Sequence, residues 1–550
     1  MTDPRHPRSF DTIVDLVAWR GAGQGDRPAL SFLDRGEEIT AQDSYVTLLT
    51  QARSVAAGLR AAGLTGRPVL LCLPSGLDFV RCFLGCLLAQ VVVAPAPGLE
   101  TRRGLDRVVS MAGDFRPAAV IAPDRAPPAA LAAALPPGCL HLAAADLLAG
   151  PPAADLPSPG ADDIAFVQYT SGSLGTPRGV VVTHRNIMAN QAMIATGFGH
   201  DESLVGVNWL PLHHDMGLCG SILQTLYIGG QCHVMSPLSF LQRPLRWLRA
   251  MDSLAGTTSG GPNFGFELCL RQVNLDEAQR LDLSRWRVAF CGAEPIRPQV
   301  LRDFAARFAP AGFDPSALHP CYGLAEATLF VTSGAPGTGM HSRMLSTESV
   351  SCGRPVGEGR VRILAPDGTS APEGTNGEVV IGGPHVSPGF WDGATAAARP
   401  DPAREVELER SRYLRTGDIG TLVGGDLHIL GRSRDMIILR GTKIHAEDVE
   451  ATVMAGSAGD VTAAAAFALT DDTGDRLAVV CETALPAIPA ELRRHLSGRI
   501  GETHGILPQP LVFVRAGAIP RSANGKLRRS ACREALLANR LGSPKPETPA

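Results

Sequence analysis

Seven small or hydroxylated residues, Thr170, Ser171, Gly172, Ser173, Gly175, Thr176 and Gly179, follow the apolar run from Ile164 to Val167. A loop of this composition lets backbone N–H groups and hydroxyls approach phosphate oxygens, because no bulky side chain intervenes. It lacks a closing Gly-Lys-Ser or Gly-Lys-Thr, so it is not a Walker A loop. Taken alone, it also fits an ordinary surface turn, since Gly, Ser and Pro punctuate any loop. Further along, Tyr322-Gly323 stands just ahead of Glu326. Tyrosine offers a flat apolar face with a polar tip, and glutamate a hard oxygen ligand of the sort Mg²⁺ prefers. His213-His214-Asp215 suggests a metal cluster at first glance. Adjacent residues on a strand or turn point apart, however, and no neighbouring acidic or histidine cluster completes a site.

The order Thr-Ser-Gly-Ser, Gly-Thr-Pro, Gly-Val in residues 170–180 resembles the phosphate loop of the adenylate-forming, AMP-binding superfamily, which joins carboxylates to AMP. Both reactants of that step are anionic, so such a site must neutralise charge and fix geometry. The resemblance implies a job for each remaining motif. The segment Trp209–Leu218 would line the acyl and phosphate region through His213, His214, Asp215, Met216 and Gly217, with His214 among the catalytic residues. Gly292, Ala293 and Glu294 would flank adenine, Tyr322 and Gly323 would contact the base, and Glu326 would hold Mg²⁺. Asp418 would accept the ribose hydroxyls, Arg432 would approach the nucleotide, and Arg434 would be the hinge about which a small domain swings. Lys526, in the arrangement Pro-x-x-x-x-Gly-Lys from Pro520, would bridge carboxylate and α-phosphate as a mobile point charge. ATP is the implied co-substrate.

Several strings are most similar to the fatty acyl-AMP ligases within that superfamily: NWLPLHHDMGL, SGGPNFGFELC, CGAEPI and YGLAEAT. Pro262, Asn263 and Phe264 would then border an acyl tunnel. Such ligases pass the acyl group to the phosphopantetheine thiol of an acyl carrier protein, often feeding polyketide or lipopeptide assembly; free CoA is the alternative acceptor. Three departures from the family pattern stand out. Arg178 replaces a common lysine, and Ala325 replaces a threonine, so a hydroxyl contact to phosphate is absent or comes from Thr328. The stretch from Glu326 to Gly353 is short for a branch that carries an inserted segment there, so refusal of CoA does not follow. Asp252-Ser253-Leu254 matches a carrier attachment tripeptide but has no carrier module around it, which leaves the carrier as a separate protein.

The elements that must position these residues can be read from periodicity. Ala52, Val55, Ala56, Leu59 and Ala62 recur at helix spacing ahead of Gly63, and the strand Val69–Leu73 follows. Phe79, Phe83 and Cys86 mark another helical face, and residues 91–94 and 118–122 read as strands. Such alternation predicts an α/β core with parallel strands and crossover helices. From residue 361 short strands and turns predict a β-rich subdomain, with a hairpin at Gly424-Gly425. A smaller α+β unit then follows, which the resemblance implies is mobile. The expected division is an adenylating domain over 1–430, a hinge over 431–435, the small domain over 436–540 and a disordered tail over 541–550.

The chain has 550 residues, 45% hydrophobic and 19% charged, with a net charge of −3. Its length requires more than one core, and its balance offers no basic footprint for nucleic acid or membrane. The charge-free run from Cys82 to Leu99 is broken by Gln90, Pro95 and Pro97, so it reads as buried core and not a span. Twelve scattered cysteines without a Cys-x-x-Cys pair point to free thiols in a reducing cytoplasm.

Overall fold

The computed structural model describes residues 7–124, 126–170, 177–345, 348–433, 436–439, 442–471, 474–521 and 527–542. The helix Tyr45–Ala61 buries Leu48, Leu49, Ala52, Val55, Ala56 and Leu59 along one stripe. Ser44 caps it by accepting the Thr47 N–H, and Gly63 follows the last turn at φ +70. The strand Pro68–Cys72, the helix Leu77–Leu88 and the strand Val92–Ala96 come next, each within one or two residues of the sequence expectation. The Cys82–Leu99 run is thus a helix end and a core strand. No helix among the described residues is long and apolar enough to cross a membrane.

Among the described residues two large sheets carry the N-terminal part of the chain. One runs in the order Ala397–Arg399, Phe390–Asp392, Arg178–Thr183, Ile164–Thr170, Val92–Ala96, Pro68–Cys72, Ala119–Ala122, Leu140–Ala143. The other runs Arg354–Pro355, Phe330–Ser333, Leu318–Gly323, Val288–Cys291, Thr258–Gly261, Val205–Asn208, Gln231–Met235, Pro28–Asp34, Glu38–Ser44. Their central strands are parallel, as the alternating pattern predicts. Each sheet also holds antiparallel pairs. Ile164–Thr170 pairs antiparallel with Arg178–Thr183, and Leu318–Gly323 pairs antiparallel with Phe330–Ser333. Each of these connections is too short for a crossover helix, so the chain turns back on itself. The two strands that flank residues 171–176 are therefore antiparallel partners, Thr170 opposite Arg178.

The β-rich region forms a third sheet from Arg360–Leu364, Gly377–Gly382, Ser411–Val423, Glu405–Leu408 and Asp426–Arg432. Its last hairpin turns on Gly424 and Gly425, both with positive φ, as a two-residue type I′ turn demands. This strand runs through Arg432, so the first two residues of the expected hinge are paired, Gly431 with Ile419 and Arg432 with Asp418. Beyond it, Met436–Leu439 pairs with Thr442–His445, and Ala463–Asp471, Gly474–Thr483 and Leu511–Arg515 make a further sheet. The helices Ala446–Gly456 and Ala490–His504 cover this sheet around Val449, Val453, Leu496 and Ile500. That unit is α+β.

Candidate functional site

Four segments singled out from sequence leave the carboxyl ends of neighbouring parallel strands. Trp209 follows Val205–Asn208, Pro262 follows Thr258–Gly261, Gly292 follows Val288–Cys291, and Tyr322-Gly323 closes Leu318–Gly323. In open α/β sheets this edge is where ligands bind, because the loops there are free to vary above a fixed scaffold. Hydrogen bonds tie the segments together. The Phe264 N–H donates to Glu294 Oε1 at 2.7 Å, and the Arg297 N–H donates to Asn263 Oδ1 at 3.0 Å. From the strand Ile164–Thr170, Gln168 Nε2 donates to the His213 carbonyl at 2.9 Å. Three buried polar atoms at this edge, Gln168 Oε1, Asn263 Nδ2 and Trp209 Nε1, have no protein partner among the described residues. Unsatisfied buried polar groups call for a further hydrogen-bonding species.

Tyr322, Asp418 and Arg432 form a connected set. The buried Tyr322 hydroxyl donates to Asp418 Oδ2 at 2.6 Å, and Arg432 Nε stands 3.0 Å from Asp418 Oδ1. Burial, reinforced by Asp418, holds the Tyr322 phenol well above its ordinary range, so it is a donor at neutral pH. Each carboxylate oxygen keeps a second lone-pair direction for another donor.

His214 and Asp215 do touch, contrary to the expectation that neighbours point apart: His214 Nδ1 lies 2.6 Å from Asp215 Oδ1. The reason is local. Asp215 opens a helical turn, where its carboxylate also accepts the Met216 N–H at 2.8 Å, and the π-helical turn Leu218–Leu223 follows directly. Burial, then Arg107 and His214, push His213 down to about 3, so its ring is neutral at physiological pH.

Two glycines expected at the nucleotide and acyl positions are required by the fold itself. A Cβ at Gly323 would overlap the Leu329 carbonyl oxygen, and one at Gly217 would overlap that of Pro211. We predict that Gly323→Ala lowers folding stability by about 1–3 kcal/mol, the usual cost of forcing atoms into a filled space; chemical denaturation would measure it. Thr328 does not supply the missing hydroxyl. It is fully buried, and its Oγ1 donates to the His385 carbonyl at 2.8 Å. Asp252 and Ser253 end the helix Leu245–Ser253, as a core element and not a carrier module.

Thr170 ends its strand opposite Arg178, while Ser171, Gly172, Ser173, Gly175 and Thr176 lie outside the described residues, as do Arg434 and Lys526. The stem of the lysine loop is described. Arg521 bridges to Leu527, and the Ile519 N–H donates to the buried Glu482 carboxylate at 2.6 Å.

Beside Glu326 stands a cluster that no sequence motif marks. Arg404 Nη1 bonds Glu326 Oε1 at 2.7 Å, and Arg178 pairs with Asp401 at 3.0 Å. The Arg178 guanidinium lies 3.7 Å from the Phe390 ring centre, a cation–π contact. Composition carries a further signal: only three of the 51 Lys and Arg residues are lysine, Lys443, Lys526 and Lys545. A chain that uses arginine for nearly all its positive charge places one of its three lysines in the loop expected to reach the reacting atoms.

A family model for AMP-binding enzymes matches residues 17–391. The medium-chain-fatty-acid–[acyl-carrier-protein] ligase JamA of Moorena producens (strain JHB) is 33% identical over 97% of this chain and 96% of its own length. The long-chain-fatty-acid–AMP ligase FadD26 of Mycobacterium tuberculosis (strain CDC 1551 / Oshkosh) is 32% identical over 96% of this chain and 97% of its own. A solved structure from work on fatty acyl-adenylate ligases of E. coli and L. pneumophila superposes with a TM-score of 0.86 at 30% identity, covering 98% of this chain and 99% of that one. A fatty acyl-adenylate ligase from L. pneumophila in complex with acyl adenylate and pyrophosphate gives 0.72 at 31% identity, covering 96% and 97%.

Proposed function

This chain belongs to the AMP-binding enzyme family, and on that premise we propose that it activates a fatty acid as its acyl adenylate and delivers the acyl group to a separate acyl carrier protein. The acid's carboxylate oxygen attacks the α-phosphorus of ATP and pyrophosphate leaves. The carrier's phosphopantetheine thiol then attacks the acyl carbonyl and AMP leaves. The observation that carries this reading is the gathering of four separate sequence segments along one sheet edge.

The acyl side of that edge supports an apolar acid. Trp209 stacks on Phe240 with ring centres 4.0 Å apart, and Phe264 meets it edge-on at 5.8 Å. In our reading Pro262, Asn263, Phe264, His213, Asp215, Met216 and Gly217 border the acyl chain, with His214 next to the reacting carboxylate. Gly292, Ala293, Glu294, Tyr322 and Gly323 surround adenine, Asp418 takes the ribose hydroxyls, and Arg432 approaches the nucleotide. Lys526 arrives on a lobe comprising residues 436–540, which turns about residues 431–435 at Arg434 against the lobe 1–430.

Glu326 is a fitting ligand for Mg²⁺ that arrives with ATP. Among the described residues no group of three or more His, Cys, Asp or Glu side chains could hold a metal unaided. Magnesium bound by one carboxylate and substrate phosphates is the usual arrangement, and the ion would neutralise charge on the leaving pyrophosphate. Twelve unbridged thiols suit a reducing cytoplasm. Polyketide or lipopeptide assembly is the setting such an acyl donor would serve.

The test is incubation with ATP, a panel of fatty acids and either holo carrier protein or CoA, followed by mass spectrometry. Acyl-carrier formation with little acyl-CoA is expected. A second reading, a CoA ligase, draws on the short segment after Glu326, in which Ser342–Met344 pairs antiparallel with Glu348–Val350. Efficient acyl-CoA production would decide for it.

A further inference from the structure

Arg404 occupies an unusual position among the arginines near Glu326. It ends the short turn Pro402–Arg404, and its guanidinium is fixed on two sides before it reaches any carboxylate. Nε and Nη2 donate to the Arg415 carbonyl at 3.2 and 3.1 Å, on the strand that also carries Asp418, and the Phe390 ring lies 5.5 Å away. The remaining nitrogen, Nη1, reaches Glu326 Oε1 at 2.7 Å. Backbone carbonyls orient a guanidinium without neutralising it, so its charge is directed at one carboxylate. Glu326 is itself held at the main chain, where its carbonyl accepts the Ser387 N–H at 2.9 Å. Only its side-chain torsions remain to be set, and Arg404 sets them.

We propose that Arg404 is a positioning residue for the metal step: it locks one oxygen of Glu326 so that the other is presented to the ion carried in with ATP. This rests on the reading of Glu326 as the metal carboxylate. Groups that hold a metal's ligand in place typically change metal affinity ten- to hundredfold when removed.

The experiment is Mn²⁺ binding to the full-length protein with a non-hydrolysable ATP analogue, followed by electron paramagnetic resonance of the free ion. Arg404→Gln is expected to weaken Mn²⁺ binding roughly tenfold or more, while the analogue's affinity in EDTA stays within about twofold. Arg404→Lys, which keeps the charge but loses the fork onto Arg415, is expected to fall between the two. Thermal melts identify any variant that fails to fold, and the lysine variant then carries the test. Unchanged Mn²⁺ affinity overturns the proposal. So does tighter binding, which would make Arg404 a competitor of the ion, and so does weakened analogue binding in EDTA, which would make it a direct phosphate contact. Glu326→Gln separates the two levels. If it leaves Mn²⁺ binding intact, the assignment of Glu326 itself falls; if it abolishes binding while Arg404→Gln does nothing, only the role of Arg404 falls.

Discussion

Lys526→Ala is expected to slow adenylate formation by roughly 10²–10³-fold, the range for removing one preorganised charge from a transition state, while ATP binding changes little. In the transfer step negative charge concentrates where the acid's oxygen meets the α-phosphorus, and an ammonium group on a small loop can follow it there. The loop's root supports this duty. Arg521 and Leu527 close its neck, and Glu482, a buried carboxylate, anchors Ile519. The lysine would thus be delivered from a fixed stem. Acid-dependent pyrophosphate exchange measures the effect, and equilibrium titration with ATP checks binding. Lys526→Arg serves as the control for chemistry over charge: in a protein this rich in arginine, a full rescue would show that the retained lysine has no special part. Wild-type exchange in the alanine variant would count against the assignment outright.

Asp418→Ala should reduce kcat/KM for ATP by about 10²–10⁴-fold, since each hydrogen bond to a charged group contributes about 1.5–3 kcal/mol and two ribose hydroxyls are at stake. The substitution also strands the Tyr322 hydroxyl in a buried place and removes the partner of Arg432. Tyr322→Phe separates these contributions. It deletes one donor to Asp418 but leaves the carboxylate, so its effect should stay near tenfold. If Tyr322→Phe matched the loss in Asp418→Ala, the carboxylate would matter for holding the tyrosine and not for the sugar. Steady-state kinetics on the three proteins suffices.

Motif order pointed to a nucleotide site, because phosphate, base and ribose each demand a residue type that few loops combine, and three of the residues it named, Tyr322, Asp418 and Arg432, do come together. Periodicity also placed the helices and central strands within a residue or two, since buried positions at 52, 55, 56 and 59 must share one helical face; Ala62, expected on that face, is instead the exposed cap residue after the last turn. Sequence could not show where the sheets turn antiparallel. Val180, Val181 and Val182 read equally well as a parallel or an antiparallel strand, and the pairing is decided by the short loop before them. Arg404 was hidden for a different reason. It sits in the run RPDPAREVELER, which looks like a solvated charge cluster, and its partner Glu326 is 78 positions away in the chain. The contact of His214 with Asp215 was misjudged because a turn, unlike a strand, does not alternate its side chains.

The Arg432–Asp418 pair has a mechanical consequence. Arg432 is the last residue of its strand, so the carboxylate proposed to grip the sugar is also the clasp that fastens the end of the β-rich sheet. A nucleotide seated there would draw on that clasp with its two hydroxyls. Binding would thus slacken the ion pair at the sheet's end and departure of AMP would let it close again, while the backbone pairing of 418 with 432 holds the strand in register throughout.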